Sequence, residues 1–400
     1  MDFRKCAIAL GVLALAGCGG GGGGSTDSNG GINVGGGVNA MRSDATELAA
    51  FVGDVKSLRM YATDVLGATV ASPTIDWSSS ATAVATAAAS GVASVGSITA
   101  IGAGPANIVA KSGTVTVTTP ITVHPKPTTV EDLKKVFPFK QPGSGTVATF
   151  SDVDAAGNTE RFQHMGAFWT YMRGASSLLS TGPASAEFFF TRDTNVLANG
   201  RVLCGVAAPT TPYAPGSILS CPDGATDKER WYYVAPSNPL SQDKAQMQHE
   251  LAEAFFERSV ANERTFAWLY KGMTLYHEAG TFDASGAFGV TVASFKARLA
   301  ADPTNNRVPA ISASTLMNAP YEGTDPSTVI HAYSYAPGAF VLFLQTQAPY
   351  TTALRTVLPL MADAAYTNAQ AIARVLQVAG RTEAQLNQDY AKFLTDNALQ

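Results

Sequence analysis

The rhythm of apolar and polar positions changes near residue 125. Before it, runs such as Val115-Thr116-Val117-Thr118 alternate with period two, as half-buried strands do. Turn residues recur at intervals of about eight to twelve, the spacing of a β-sandwich. The alternation breaks at Thr118-Thr119-Pro120 and resumes at Ile121-Thr122-Val123, which predicts a bulge at a sheet edge. Beyond residue 125 the texture is mixed. Ala186 to Thr191 (AEFFFT) and Arg230 to Ala235 (RWYYVA) read as strands, and from Ser241 onward the pattern is almost wholly helical. Ser241 is a candidate N-cap with Asp243 in the first turn, and Leu251, Ala252, Phe255 and Phe256 make a wide apolar face. Further helices are predicted near 264–279, 289–301, 327–347, 351–363, 367–379 and 382–397. Ala336 to Leu344 is apolar but shorter than the roughly 20 residues that span a bilayer, so it reads as a buried helix.

Composition narrows the picture. Net charge is -4, charged residues are 14% of the chain, and no run of Lys and Arg occurs, which argues against nucleic acid as a partner. A hydrophobic share of 46% is ample for two globular domains. At the start, Arg4 and Lys5 precede a short apolar run, Cys6 to Ala16, and Leu15-Ala16-Gly17-Cys18 matches a lipoprotein signal-peptidase site. In this resemblance Cys18 becomes the mature N-terminus and carries the lipid; an ordinary cleaved signal peptide is the competing reading. Gly19 to Gly37 can form no core and reads as a flexible tether, spanning roughly 25 Å for about 20 residues. No Asp follows Cys18, which favours the outer membrane over inner-membrane retention. With Cys6 removed and Cys18 lipidated, Cys204 and Cys221 remain, and in an oxidising compartment they are expected to form one disulfide.

From Val65 to His124 the only charged residues are Asp76 and Lys111. Within that stretch Asp76-Trp77-Ser78-Ser79-Ser80, Val84-Ala85-Thr86, Gly91-Val92-Ala93, Ala100-Ile101-Gly102-Ala103-Gly104 and Ala106-Asn107-Ile108-Val109-Ala110 follow in order. This succession resembles the group 2 bacterial immunoglobulin-like domain, and implies an all-β sandwich over 33–124 acting as a spacer or adhesion module. His124-Pro125-Lys126-Pro127 reads as a stiff linker, placed over 125–130.

The C-terminal part carries HELAE, His249 to Glu253, followed by WLYKG, Trp268 to Gly272. Tyr335-Ala336-Pro337-Gly338-Ala339 and a closing segment from Gly380 to Leu394 come downstream. Together these resemble the gluzincin-type, peptidase-MA-like metallopeptidase domain, which implies a mostly helical α+β, zincin-like fold over 131–400. The whole is then a multidomain chain: signal peptide 1–17, lipidated tether 18–40, sandwich, linker and peptidase-like domain. In an intact family member two His and a Glu hold zinc, a second Glu activates the bound water, and a Tyr stabilises the oxyanion. Carried over, the metal positions are His249, Glu253 and Lys271, the base is Glu250, and the oxyanion group is Tyr335. Only His249, Glu250 and Tyr335 keep the family's residue type.

A protonated Lys offers no lone pair and repels a dication, so Lys271 is expected to abolish ordinary zinc affinity. Glu253 and Lys271 are expected to meet where the metal would sit, with the ammonium held by Glu253 and, as a further partner, Glu250. The expected protein is therefore a lipid-anchored envelope module that binds a peptide or envelope-protein partner, without a cofactor. The alternative is an atypical zinc peptidase using His249, Glu253 and a third ligand such as His164 or His331. His277 and Glu278 are expected at the surface or the helix end, and His124 in a solvated linker. Phe255, Phe256, Trp268, Tyr276, Tyr333 and Tyr335 would suit an extended peptide, but each is more simply read as core. No G-x-S-x-G occurs, so a serine hydrolase has no support.

Overall fold

The computed structural model describes residues 37–400 apart from 138, 143–146, 153–154, 175–177, 180–181, 192, 206–217, 224–227 and 235–239. The expected signal peptide, Cys18 and most of the tether lie outside the described residues. The N-terminal part holds β1 (Ala40–Ser43), β2 (Leu48–Phe51), β3 (Val55–Thr63), β4 (Asp76–Ser79), β5 (Ala85–Ala89), β6 (Val95–Ala100), β7 (Gly104–Ser112) and β8 (Val115–His124). They form two four-stranded sheets, ordered β1-β3-β6-β5 and β2-β8-β7-β4. Period-two burial explains their packing: Leu58 and Met60 of β3 point inward and join Ile108, Ile121 and Val123 of the other sheet in one core.

The expected bulge at Thr118-Thr119-Pro120 is absent. β8 pairs with β7 in one unbroken register from Gly104↔Val123 to Ser112↔Val115, and Thr119 takes an inward position that keeps the alternation in phase. Pro120 is tolerated because its partner Asn107 uses its own amide and carbonyl on Ser80, on the far side of β7. That places the amide-less face of Pro120 away from the β7 ladder. The phase leaves the Thr119 hydroxyl buried with no hydrogen-bond partner among the described residues.

The C-terminal part begins with a short helix, α1 (Val130–Leu133), and continues through β9 (Phe139–Pro142), β10 (Val147–Ser151), α2 (Ala155–Arg173), β11 (Ser185–Thr191), α3 (Thr194–Leu203), β12 (Ile218–Asp223) and β13 (Lys228–Val234). The five strands form one mixed sheet, ordered β12-β13-β11-β10-β9, with β10, β11 and β13 parallel and the two outer strands antiparallel. Both expected strands are central ones. Their aromatic runs lie in register, so Phe188 stacks on Trp231 on one face and Phe189 on Tyr232 on the other. A strand apolar on both faces belongs in a sheet covered on both sides.

Helices dominate the rest: α4 (Leu240–Ser259), α5 (Ala267–Glu278), then a small hairpin of β14 (Thr281–Phe282) and β15 (Phe288–Gly289), α6 (Val292–Ala300), α7 (Ala313–Asn318), α8 (Ala336–Thr346), α9 (Ala353–Val357), α10 (Asn368–Ala379) and α11 (Glu383–Asp396). Ser241 falls inside the first turn of α4 instead of capping it. The helix predicted over 327–347 is interrupted at Ser334, whose φ of 49° separates a short turn from α8. No helix among the described residues is long and apolar enough to cross a membrane.

The core of β8 supplies a test. Thr119→Val removes a buried hydroxyl that has no partner while keeping the branched shape, so it should stabilise the chain by about 1 kcal/mol. Denaturant unfolding of the two proteins measures the difference.

Candidate functional site

HELAE lies on α4 and WLYKG opens α5. The pairs His249–Glu278 and Glu257–Tyr270 show that the two helices run antiparallel. α8 packs across α5 at close range: a Cβ on Gly272 would stand 2.7 Å from Val341 Cγ2 and 2.8 Å from the Pro337 carbonyl, and one on Gly338 would stand 2.7 Å from Leu275 Cβ. Only glycine permits that approach, which sets Tyr335, the residue before α8, against the end of α5. Ser334 turns the chain there with a positive φ, a strained conformation for a non-glycine residue. Tyr390 of α11 holds the same corner by donating to the Ala336 carbonyl at 3.1 Å.

At the centre stands Glu278. His249 Nδ1 lies 2.7 Å from its Oε2, while Arg298 of α6 donates through Nε at 2.6 Å and Nη2 at 2.5 Å to Oε1. Tyr335 donates its hydroxyl to the same Oε1 at 3.2 Å. Burial pushes the Glu278 carboxyl up, but His249, Arg298 and Lys271 outweigh it and bring it down to about 2. The Tyr335 hydroxyl is driven far above its usual range, by burial first and the Glu278 charge second, so it stays a donor. Glu278 was expected at the surface or helix end. It does end α5, yet it is only 6% exposed. His277 is fully buried, donates from Nδ1 to the Met273 carbonyl at 2.7 Å, and is lowered by burial to about 4.

The remaining expected residues are placed as follows. His249, Glu250 and Glu253 are half-buried, with ligand atoms within 4.8 Å of one another. Glu250 accepts from Gln246 at 2.9 Å, and Glu253 accepts from the Tyr270 hydroxyl. Lys271 is half-buried, and its charge reaches Glu278 and His331. The expected Lys271–Glu253 pair does not form: among the described residues no ion pair joins them, because Tyr270, one position earlier on α5, serves Glu253. His331 stands near enough to feel Lys271, Glu253 and His249, but it does not join the cluster. His164 of α2 packs edge-on against Phe282 with its ring centroid 5.4 Å away and is not brought to the cluster. Phe255, Phe256 and Trp268 are fully buried core residues, whereas Tyr276 and Tyr333 are half-buried. Cys204 and Cys221 are bonded, tying the end of α3 to β12.

Arg298 is not singled out in the sequence, and Glu278 is set aside there as a surface or helix-end residue. A signal for Glu278 existed: it lies seven residues after Lys271, hence on the same face of α5, and His249 is one turn from Glu253 on the antiparallel helix. Arg298 had no local signal.

No protein-family model matches this chain, and no curated protein does. Solved structures similar to it include domains 4 and 5 of the S-layer protein SbsC, 22% identical over 22% of this chain and 51% of that one, with a TM-score of 0.20. The tandem Ig repeats of Dlar are 21% identical over 27% of this chain and 57% of that one, with a TM-score of 0.16. The chain thus spans about half the length of these structures. Scores this low carry no argument, and the architecture rests on the strand pairings above.

Two acid-sensitive windows follow. The folded His277 sits at about 4, below its ordinary 6.5, so the stability it contributes is complete above pH 6.5 and is lost as pH falls towards 4. Glu278 at about 2, below its ordinary 4.5, contributes stability that is complete above pH 4.5 and is lost as pH falls through 2. The second term is on the order of 3 kcal/mol. Acid titration of stability should therefore flatten in the upper window for His277→Phe and in the lower window for Glu278→Gln.

Proposed function

We propose that this chain is a lipid-anchored cell-envelope protein whose C-terminal domain is metallopeptidase-like and binds a peptide or envelope-protein partner without cutting it. The membrane half of the reading draws on Leu15 to Cys18 and the Gly-rich tract. The immunoglobulin-like half draws on the ordered blocks from Asp76 to Ala110, with which two packed four-stranded sheets agree.

One observation carries the absence of hydrolysis: the donor count at HELAE. A catalytic zinc site needs three protein ligands and, separately, a base. Among the described residues the clustered donors are His249, Glu250 and Glu253, and Lys271 takes the position of the family's third ligand. If Glu250 serves as a ligand, no base remains; if it serves as the base, only two ligands remain. The residues therefore do not fit a working zinc centre. Tyr335, which would face a developing oxyanion, is committed to Glu278. An atypical peptidase is favoured by one feature, the mutual proximity of those three donors, and the same test addresses it.

The chain expressed without residues 1–18 is exchanged into metal-free buffer and given stoichiometric zinc. It should return no bound zinc and cleave no peptide, while Glu253→His with Lys271→Glu should retain one zinc per chain. One tightly held zinc in the unaltered chain, lost on His249→Ala, would show that the ligand count is wrong.

A further inference from the structure

β2 is apolar at every position, Leu48-Ala49-Ala50-Phe51, although a sandwich strand with one solvated face should alternate. The two faces explain it. Leu48 and Ala50 turn into the sandwich core, whereas Ala49 and Phe51 turn the other way, into a second cluster built by Leu133, Val136, Phe137 and Phe189 of the C-terminal part. Phe51 is 1% exposed. Beside it, Lys56 of β3 places Nζ 2.5 Å from Asp193 Oδ2, and the two side chains keep only 10% and 8% exposure.

Asp193 is itself fixed. Its Oδ1 accepts from the Asn195 amide at 2.8 Å, capping α3, and its own amide donates to Thr191 Oγ1, which in turn donates to Asp152 at 2.5 Å. The far end of α3 is tied to β12 by the disulfide. Burial pulls the Lys56 ammonium down, but Asp193, Asp152 and the sandwich's own Asp54 outweigh it and hold the group charged. A buried cation with a rigid carboxylate opposite fixes a geometry, since separating the two leaves unpaired charge.

We propose that the sandwich is docked as a fixed part of the C-terminal domain, with Phe51 as its apolar plug and Lys56 paired with Asp193, and does not swing on the proline linker. The two parts then unfold together. This inference stands whether or not HELAE binds anything.

Calorimetry of the full mature chain tests it. The unaltered protein should melt in one transition. Lys56→Met should split that transition in two, and adding Asp193→Asn, which keeps an oxygen for the α3 cap, should recover part of the loss. The coupling should be on the order of tenfold or more in the unfolding equilibrium constant. Phe51→Ala, which leaves every charge in place, should split the transition as well, and serves if Lys56→Met does not fold. Two separate transitions in the unaltered chain, or strictly additive effects of Lys56→Met and Asp193→Asn, would overturn the docking.

Discussion

Taking a carboxylate out of water costs several kcal/mol even after a protein relaxes around it, and Glu278 is almost fully buried at the end of α5. It remains ionised there because α4 supplies His249, α6 supplies Arg298 and Lys271 adds its charge, while Tyr335 at the start of α8 donates to the same carboxylate. Each partner fixes an element. The α5–α8 approach through Gly272 and Gly338, the strained Ser334 and the Tyr390 anchor all bring Tyr335 within reach of one oxygen. Loss of Arg298 would leave the carboxylate without its guanidinium partner in the core, so the four helical segments meet around this single buried charge.

That dependence bears on chemistry. In a metal centre the ion is the largest local charge and orders the side chains around it. Here His249 is oriented by a protein carboxylate on one ring nitrogen, and Glu253 by the Tyr270 hydroxyl. The same principle recurs at the domain boundary, where Lys56 and Asp193 are buried against each other beside an apolar plug. Both halves of the molecule thus bury paired charge within apolar packing.

Much of the fold was legible from rhythm alone. The aromatic runs of β11 and β13 read as strands, and the 3.6-residue pattern marked α5, α10 and α11 to within a few residues. The α2 helix was harder: Phe162, Met165, Trp169 and Met172 have helical spacing, but Gly157 and Gly166 and the scattered polar residues dilute the stripe. The bulge expected at Thr119 failed because a threonine took an inward position usually held by an aliphatic residue. At the site, HELAE was visible because its spacing is local, whereas Tyr335 was reached only through the family resemblance of the segment Tyr335 to Ala339. Arg298 was not visible, since it meets Glu278 only through the packing of α6, and no local period encodes that contact.

In the function we propose, protein groups hold the HELAE site together without a metal. Thermal melting of the mature chain in excess chelator and in saturating zinc tests this most directly, because a ligand that binds only the folded state must raise its stability. The two melting temperatures should coincide. A rise of several degrees in zinc that disappears in His249→Ala would contradict the claim and make the site a metal centre.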